Sequence, residues 1–155
     1  MGEELKTYFD FAEDDYRYLA NDYADGRVAN YMGAASQNTC ERYLKYIVEE
    51  CFCPETQTDI DKKKDILKTH SLRKLMKFLQ SENLTDFSRQ EYSMISTIDG
   101  FYFTTRYPGE DSFSVDKQDL DNCMDALNIC RTKALDLQME LLNSTQRENE
   151  DYDRD

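Results

Sequence analysis

The chain has 155 residues, a length that suits a single domain with its own core, and its formal net charge is −13. Proteins bind phosphate backbones through Lys and Arg, so a charge of this sign disfavours non-specific binding of RNA or DNA. With only two prolines and five glycines, the composition favours long helices over many short strands joined by turns.

Two amphipathic helices are predicted in the first third of the chain. Apolar residues recur at steps of three and four from Leu5 onward, and Asp25-Gly26 ends this first helix. A second helix begins near Val28 and is closed by Pro54. The first half of its apolar stripe is made of small residues, which allows a neighbouring element to approach closely.

The middle of the chain is more polar. Residues 52–68 include a lysine run, and we expect a solvated loop with one helical turn from Ile60 to Lys68. Helical periodicity returns at Leu72, where Thr69 or Ser71 could serve as the N-cap.

A fourth helix is predicted from the capping box formed by Ser88 and Glu91. It is apolar nearly all round as far as Tyr102, which favours a place in the middle of the bundle. Because proline lacks a backbone N–H and restricts the residue before it, Tyr107-Pro108-Gly109 should separate this helix from the next.

The last helix has the most regular pattern, an apolar stripe alternating steps of three and four over residues 120–141. This stripe could either be buried in the core of the domain or form the interface of a dimer. Residues 145–155 have almost nothing to bury, so we expect a disordered acidic tail after a single domain of residues 1–144. The predicted fold is all-α, an up-and-down bundle of four to five antiparallel helices, because most connections are short.

Few residues suggest chemistry. His70 is the sole histidine, and a capping or packing role is the simplest interpretation. The five cysteines lack zinc spacing, and the sequence has neither a glycine-rich phosphate loop nor a nucleophile elbow, so we expect no metal and no cofactor. Asp99 lies within an apolar run, where it could pair with an arginine across the bundle or face the one wet side of its helix.

The sequence also bears on location. No apolar run approaches the roughly 20 residues of a membrane span, and residues 1–11 lack the basic start and apolar core of a signal peptide. The odd number of cysteines fits reduced thiols. We therefore expect a cytoplasmic protein without a membrane partner.

Three blocks carry a resemblance to a known family. The first is the helix of residues 33–50, which contains Glu41, Leu44 and Lys45. The second is Thr69-His70-Ser71-Leu72, and the third is the aromatic run of residues 101–109 with Thr105-Arg106-Tyr107-Pro108. In this order and spacing, and with residues 8–15 resembling a first helix, the chain is similar to the HEPN domain over residues 7–142.

The resemblance implies a helical bundle that is commonly dimeric, with one of two kinds of function. Many HEPN proteins are ribonucleases, often toxins, that use an arginine followed four to six residues later by a histidine. Others are encoded beside a small nucleotidyltransferase, and some bind nucleotides without chemistry. Here no histidine follows Arg106 in that window, and Glu110 and Asp111 place negative charge nearby.

The resulting hypothesis is a non-catalytic, homodimeric module that binds a nucleotide or a partner protein. Such a module could be the companion of a nucleotidyltransferase in a toxin–antitoxin-type system. Its ligand site would contain five residues: Arg106, Tyr107, His70, Tyr102 and Asp99.

Three alternatives stay open. The first is a metal-independent ribonuclease toxin, an RNA endonuclease in which Arg106 and His70 would be the catalytic residues. The second is a structural adaptor that uses the last helix. In the third, Arg106 is structural and pairs with an acidic residue such as Asp99 or Glu41.

Overall fold

A computed structural model describes residues 4–154 of the chain. Within that range it contains seven helices and no strand: α1 (Tyr8–Ala24), α2 (Asn30–Cys51), α3 (Gln57–Lys68), α4 (Leu72–Ser81), α5 (Arg89–Thr97), the single turn α6 (Phe101–Thr104) and α7 (Lys117–Asp153). The predicted all-α bundle is confirmed. Residues 1–3 of the predicted domain and residue 155 of the predicted tail lie outside the described residues.

Local sequence signals start several of these helices. Thr7, Ser88 and Asp116 each form a capping box, in which the N-cap side chain and the third helical residue satisfy each other's backbone N–H. At α4 the N-cap is Ser71, whose Oγ accepts a hydrogen bond from the backbone N–H of Lys74 at 3.2 Å. The predicted starts of α4 and α5 are therefore confirmed.

The central helix of the bundle is α2, which contacts α1, α3, α4, α6 and α7. The sequence-based expectation that the fourth helix would be central was wrong. The apolar run of residues 92–102 is not one helix, because Gly100 adopts a left-handed conformation with φ of +101° and separates α5 from α6. The helix is therefore interrupted before Tyr107-Pro108-Gly109 is reached.

The small residues of α2 do permit a close approach. A Cβ atom added to Gly33 would lie 3.0 Å from Cγ2 of Thr105 and 3.2 Å from Cγ1 of Val115. The segment between α6 and α7 thus lies directly against the backbone of α2.

Residues 57–68 form a helix of three turns, α3, where the sequence predicted a loop with one turn. No residue of α3 is buried, so its periodic apolar signal is weak. It is stabilised by the Thr56 cap and by Lys63, whose ammonium donates to the carbonyl oxygens of Glu49 at 3.2 Å and Phe52 at 3.0 Å. These carbonyls belong to the C-terminal end of α2, where a cation is favoured.

The regular stripe of α7 belongs to the core in its first half: Leu120, Cys123, Leu127, Cys130 and Ala134 are buried. Every residue from Met139 to Arg154 is exposed. The helix continues through residues 145–153, and the disordered tail expected for residues 145–155 stays a prediction that hydrogen exchange can test. Within residues 4–154, none of the helices has the length and apolarity needed to cross a bilayer.

Candidate functional site

The segment from Gly100 to Asp116 is held in place by a side chain of α2. Nδ2 of Asn30 donates to the carbonyl oxygen of Phe113 at 2.9 Å, and its Oδ1 accepts from the backbone N–H of Val115 at 2.8 Å. A longer contact of 3.4 Å joins Nδ2 to the carbonyl oxygen of Thr105. Asn30 therefore fixes the chain on both sides of Arg106.

Four of the five residues predicted for the ligand site lie together, and we call them the ring cluster: His70, Tyr102, Arg106 and Tyr107. The ring of His70 stacks on that of Tyr102, with centroids 4.5 Å apart and planes inclined by 6°. The guanidinium carbon of Arg106 lies 4.6 Å from the centroid of Tyr102 and 5.3 Å from that of Tyr107. Cation–π attraction of this kind orients the guanidinium without neutralising it.

Gln37 connects the two segments that supply this cluster. Its Nε2 donates to the carbonyl oxygen of His70 at 2.7 Å, and its Oε1 accepts from the backbone N–H of Tyr102 at 2.7 Å. The Gln37 side chain is fully buried, so its hydrogen bonds are made without competition from solvent. One amide of α2 thereby sets the distance between the His70 connection and α6.

Beneath the His70 ring lies a buried carboxylate. Oε2 of Glu41 is 3.3 Å from Nδ1 of His70 and 3.9 Å from Nζ of Lys45. Burial raises the pKa of the Glu41 carboxyl and lowers the pKa of the Lys45 ammonium, although each group counteracts the shift of the other. Glu41 thus holds the imidazole by Nδ1, which leaves Nε2 as the nitrogen available to a ligand.

Asp99 lies at the start of α4. Its carboxylate accepts from the backbone N–H groups of Leu72 at 2.9 Å and Arg73 at 3.3 Å, and lies 3.9 Å from the Arg73 guanidinium. Of the two alternatives for Asp99, pairing with an arginine is the one observed. The carboxylate satisfies the N-terminal end of α4 and is not part of the ring cluster.

Arg106 is exposed and borders two depressions. One, of about 260 Å³, is lined by Tyr31, Ala34, Ala35, Asn38, Tyr102 and Arg106. The other, of about 300 Å³, lies on the Asn30 side and includes Thr104 and residues 105–108 and 112–114. Within residues 4–154, no carboxylate lies within 4.0 Å of its guanidinium; Glu41 instead contacts His70 and Lys45, and Asp99 contacts Arg73. The guanidinium is therefore free to hold an anion.

A sequence model of the HEPN domain matches residues 5–133, which include the whole ring cluster. The chain belongs to the HEPN domain family. The comparison with curated proteins gave no significant match, and neither did the comparison with solved structures. The predicted family is confirmed.

In this HEPN domain the sole histidine reaches the arginine through the fold. His70 comes from the connection between α3 and α4, not from the residues that follow Arg106, and its ring and the Arg106 guanidinium both contact the ring of Tyr102. Among residues 4–154 there is no group of three or more His, Cys, Asp or Glu side chains that could hold a metal ion. The chemistry that this cluster offers is an arginine fork, an imidazole and exposed aromatic rings.

Two residues of the site were missed by sequence reasoning. Gln37 and Asn30 are polar side chains at the start of α2, and their sequence neighbours give no sign of what they bind. Apart from Glu41, which is one turn from Gln37, their partners are 33 to 85 residues away along the chain. The sequence signal that could have pointed to Gln37 is a polar residue beside the small-residue stripe of α2, because a polar group that such a stripe buries needs hydrogen-bond partners.

Proposed function

We propose that this HEPN protein is a non-catalytic module that binds a nucleotide around Arg106, acting as a homodimer and as the companion of a small nucleotidyltransferase. The observation that carries the proposal is the Arg106 guanidinium, which is exposed, lies against two tyrosine rings and has no carboxylate partner within residues 4–154. The dimer and the nucleotidyltransferase companion are proposed from the family.

Phosphate recognition follows from the chemistry of this side chain. A guanidinium stays charged at ordinary pH and presents paired N–H donors that match two oxygens of a phosphate. The aromatic contacts restrict its motion, so less conformational entropy is lost when an anion binds. In a chain of net charge −13, an oriented cation without a carboxylate partner is a specific place for an anion.

A base would stack beside this phosphate position. Tyr102 contacts both His70 and Arg106, so stacking of a base is left to Tyr107, which contacts only the arginine of these two, and to Tyr31; the two rings are 52% and 54% exposed. Tyr31 lines the smaller depression together with Arg106. This supports a mononucleotide whose phosphate contacts Arg106.

The experiment is a thermal-shift titration with AMP, ATP and inorganic phosphate. A ligand present at about 100 times its Kd stabilises the folded state by about 2.7 kcal/mol, which for a domain of this size raises Tm by roughly 5–10 °C. Arg106→Ala should abolish the shift, whereas Arg17→Ala, which removes an exposed arginine of α1, should retain it. No shift with any of the three ligands would contradict the proposal.

A second candidate, the metal-independent ribonuclease, has one observation in its favour: His70 and Arg106 contact the same ring. In HEPN nucleases such a pair would handle a proton and the charge of the phosphate. Incubating the purified protein with RNA and EDTA tests it. Cleavage that disappears in Arg106→Ala and in His70→Ala would replace the non-catalytic proposal.

A further inference from the structure

The positive charge of this acidic protein is concentrated in one place. Residues 57–81, which include α3 and α4, contain seven basic and three acidic side chains and carry a net charge of +4. The remaining residues contain 12 basic and 29 acidic side chains and carry −17. The hairpin of α3 and α4 is therefore a basic island on an acidic molecule.

A depression of about 490 Å³ lies on this island, between α3 and α4. Its lining has three lysines, two apolar side chains, one carboxylate and one hydroxyl: Lys62, Lys68, Lys74, Ile66, Phe78, Asp65 and Thr69. The half-buried side chains of Ile66 and Phe78 give it an apolar element. We refer to it as the α3–α4 depression.

The lysines of the island differ in what they contact. Lys62 pairs with Glu82 at 2.7 Å, and Lys63 donates to carbonyl oxygens at the end of α2. Within residues 4–154, Lys68 and Lys74 have no carboxylate within 4.0 Å, and both line the depression. The depression thus offers two uncompensated ammonium groups beside an apolar element.

The opposite chemistry occurs at the end of α7. Residues 148–153 contain four carboxylates and no base, and they surround Tyr152, which is 86% exposed. From Met139 to Asp153 the helix has only exposed residues, which at 1.5 Å per residue amounts to roughly 22 Å of helix. Neither α3 nor α4 is among the helices that contact α7, so this acidic end does not dock on the depression of its own chain.

We infer that the acidic end of α7 docks into the α3–α4 depression of a second copy of the chain. Carboxylates of residues 148–153 pair with Lys68 and Lys74, and the Tyr152 ring packs on Ile66 and Phe78. Two different surfaces can join copies either in an open chain or in a closed pair, and the arrangement that we infer is the closed one, a two-fold pair in which each copy supplies both surfaces. This surface does not include the nucleotide site, so the inference is independent of nucleotide binding, and it rests on the proposed function only in giving a surface to its homodimer.

A single-stranded nucleic acid is the competing occupant of a basic depression. The acidic end of α7 is favoured because it supplies both chemistries that the depression offers, an aromatic ring and several flanking carboxylates. The net charge of −13 repels a long polyanion, whose charges extend beyond the basic island. A short acidic segment places its charges only beside the island of net charge +4.

The test is sedimentation velocity of the full chain over a concentration series at low and high salt. Lys68→Ser with Lys74→Ser removes four exposed ion pairs from a two-fold pair and should raise its dissociation constant by at least about tenfold, which is about 1.4 kcal/mol for the four together. The matched control is Lys64→Ser with Lys77→Ser, which removes the same charge from the same two helices outside the depression. This control should leave the dissociation constant within about twofold of the wild-type value.

Exchanging the charges of the two surfaces tests whether the contact is specific. Lys68→Glu with Lys74→Glu should prevent association, and adding Asp151→Lys with Asp153→Lys to the same chain should restore it. Arg106→Ala should leave association unchanged, which separates this contact from the nucleotide site. Circular dichroism of each variant confirms folding, and all the substituted side chains are exposed.

Three results would overturn the inference. The first is a wild-type chain that is monomeric at every concentration, and the second is an equal effect of the control pair. The third is loss of binding to a labelled single-stranded RNA in Lys68→Ser with Lys74→Ser while self-association is unchanged, which would make the depression a nucleic-acid surface.

Discussion

At the scale of single residues, the site depends on buried polar groups that belong to α2. Gln37 and Glu41 are one helical turn apart and joined at 3.2 Å, and together they hold His70 by its carbonyl oxygen and its Nδ1. The exposed side chains that would meet a ligand are thus positioned by groups that never reach solvent. Substitutions beneath the surface should therefore affect stability and site geometry together.

Gln37→Ala tests this dependence. The substitution leaves the N–H of Tyr102 and the carbonyl oxygen of His70 without their partner, and we expect the free energy of unfolding to fall by about 2–4 kcal/mol. Urea denaturation measures it. Gln118→Ala, at an exposed position on α7, is the control and should stay within about 0.5 kcal/mol of the wild type. Equal losses for the two variants would contradict the assigned role of Gln37.

The burial of the Glu41 carboxyl leads to a prediction about how the stability of the protein depends on pH. Its pKa is raised by burial, so between the ordinary value of 4.5 and the raised value the folded state binds more protons than the unfolded state. Stability from this group is therefore fully present below 4.5 and is lost as pH rises through that window. Glu41→Gln removes the titration. We expect the difference in unfolding free energy, wild type minus variant, to decrease from pH 4 to pH 7 in urea titrations, and an increase would refute the direction.

At the scale of elements, helix starts were predictable because their signals are local. The Ser88 and Glu91 pair and Ser71, both predicted from the sequence, bond within three residues of themselves. The helix α3 was missed because part of its stabilisation comes from Lys63 at the end of α2, a contact that no periodicity reports. The ring cluster was predicted only as a set of residues, since its contacts join segments far apart along the chain.

The capping box of α5 gives a prediction within one helix. Ser88→Ala removes the oxygen that accepts the N–H of Glu91 at 3.1 Å, and we expect a loss of about 1 kcal/mol in the free energy of unfolding. Ser93→Ala, at an exposed position of the same helix, makes the same chemical change without a cap and should be neutral or slightly stabilising. If both substitutions destabilise alike in chemical denaturation, the capping role is wrong.

The hydrogen bonds of Asn30 lead to a prediction about the mobility of the segment that carries Arg106. In Asn30→Ala the carbonyl oxygen of Phe113 and the N–H of Val115 lose their partner, so residues 105–115 should become locally mobile. We expect faster amide exchange of Val115 and a weaker thermal shift with nucleotide. The control is Asn143→Ala, on the exposed part of α7. Unchanged exchange at Val115 would show that the segment is held by its packing against Gly33 instead.

At the scale of the whole molecule, α7 joins two regions with different sources of stability. Its first half is buried against α1, α2 and α5, whereas its last 15 residues are exposed. An isolated helix of this length is marginal in water, because helix formation without burial gains little per residue. The expected disorder of residues 145–155 and the helix observed over residues 145–153 therefore differ only by the small free energy that a contact could supply.

Hydrogen exchange along α7 tests this view. In dilute solution, amides of residues 120–134 should exchange slowly, through global unfolding, and those of residues 142–153 should exchange nearly unprotected. Raising the protein concentration should protect residues 148–153 selectively, because docking on a second copy fixes that end of the helix. The variant with Lys68→Ser and Lys74→Ser should lack this added protection. Slow exchange throughout α7 in the dilute monomer would mean that the helix is stable alone, and the partner would then not be needed to order it.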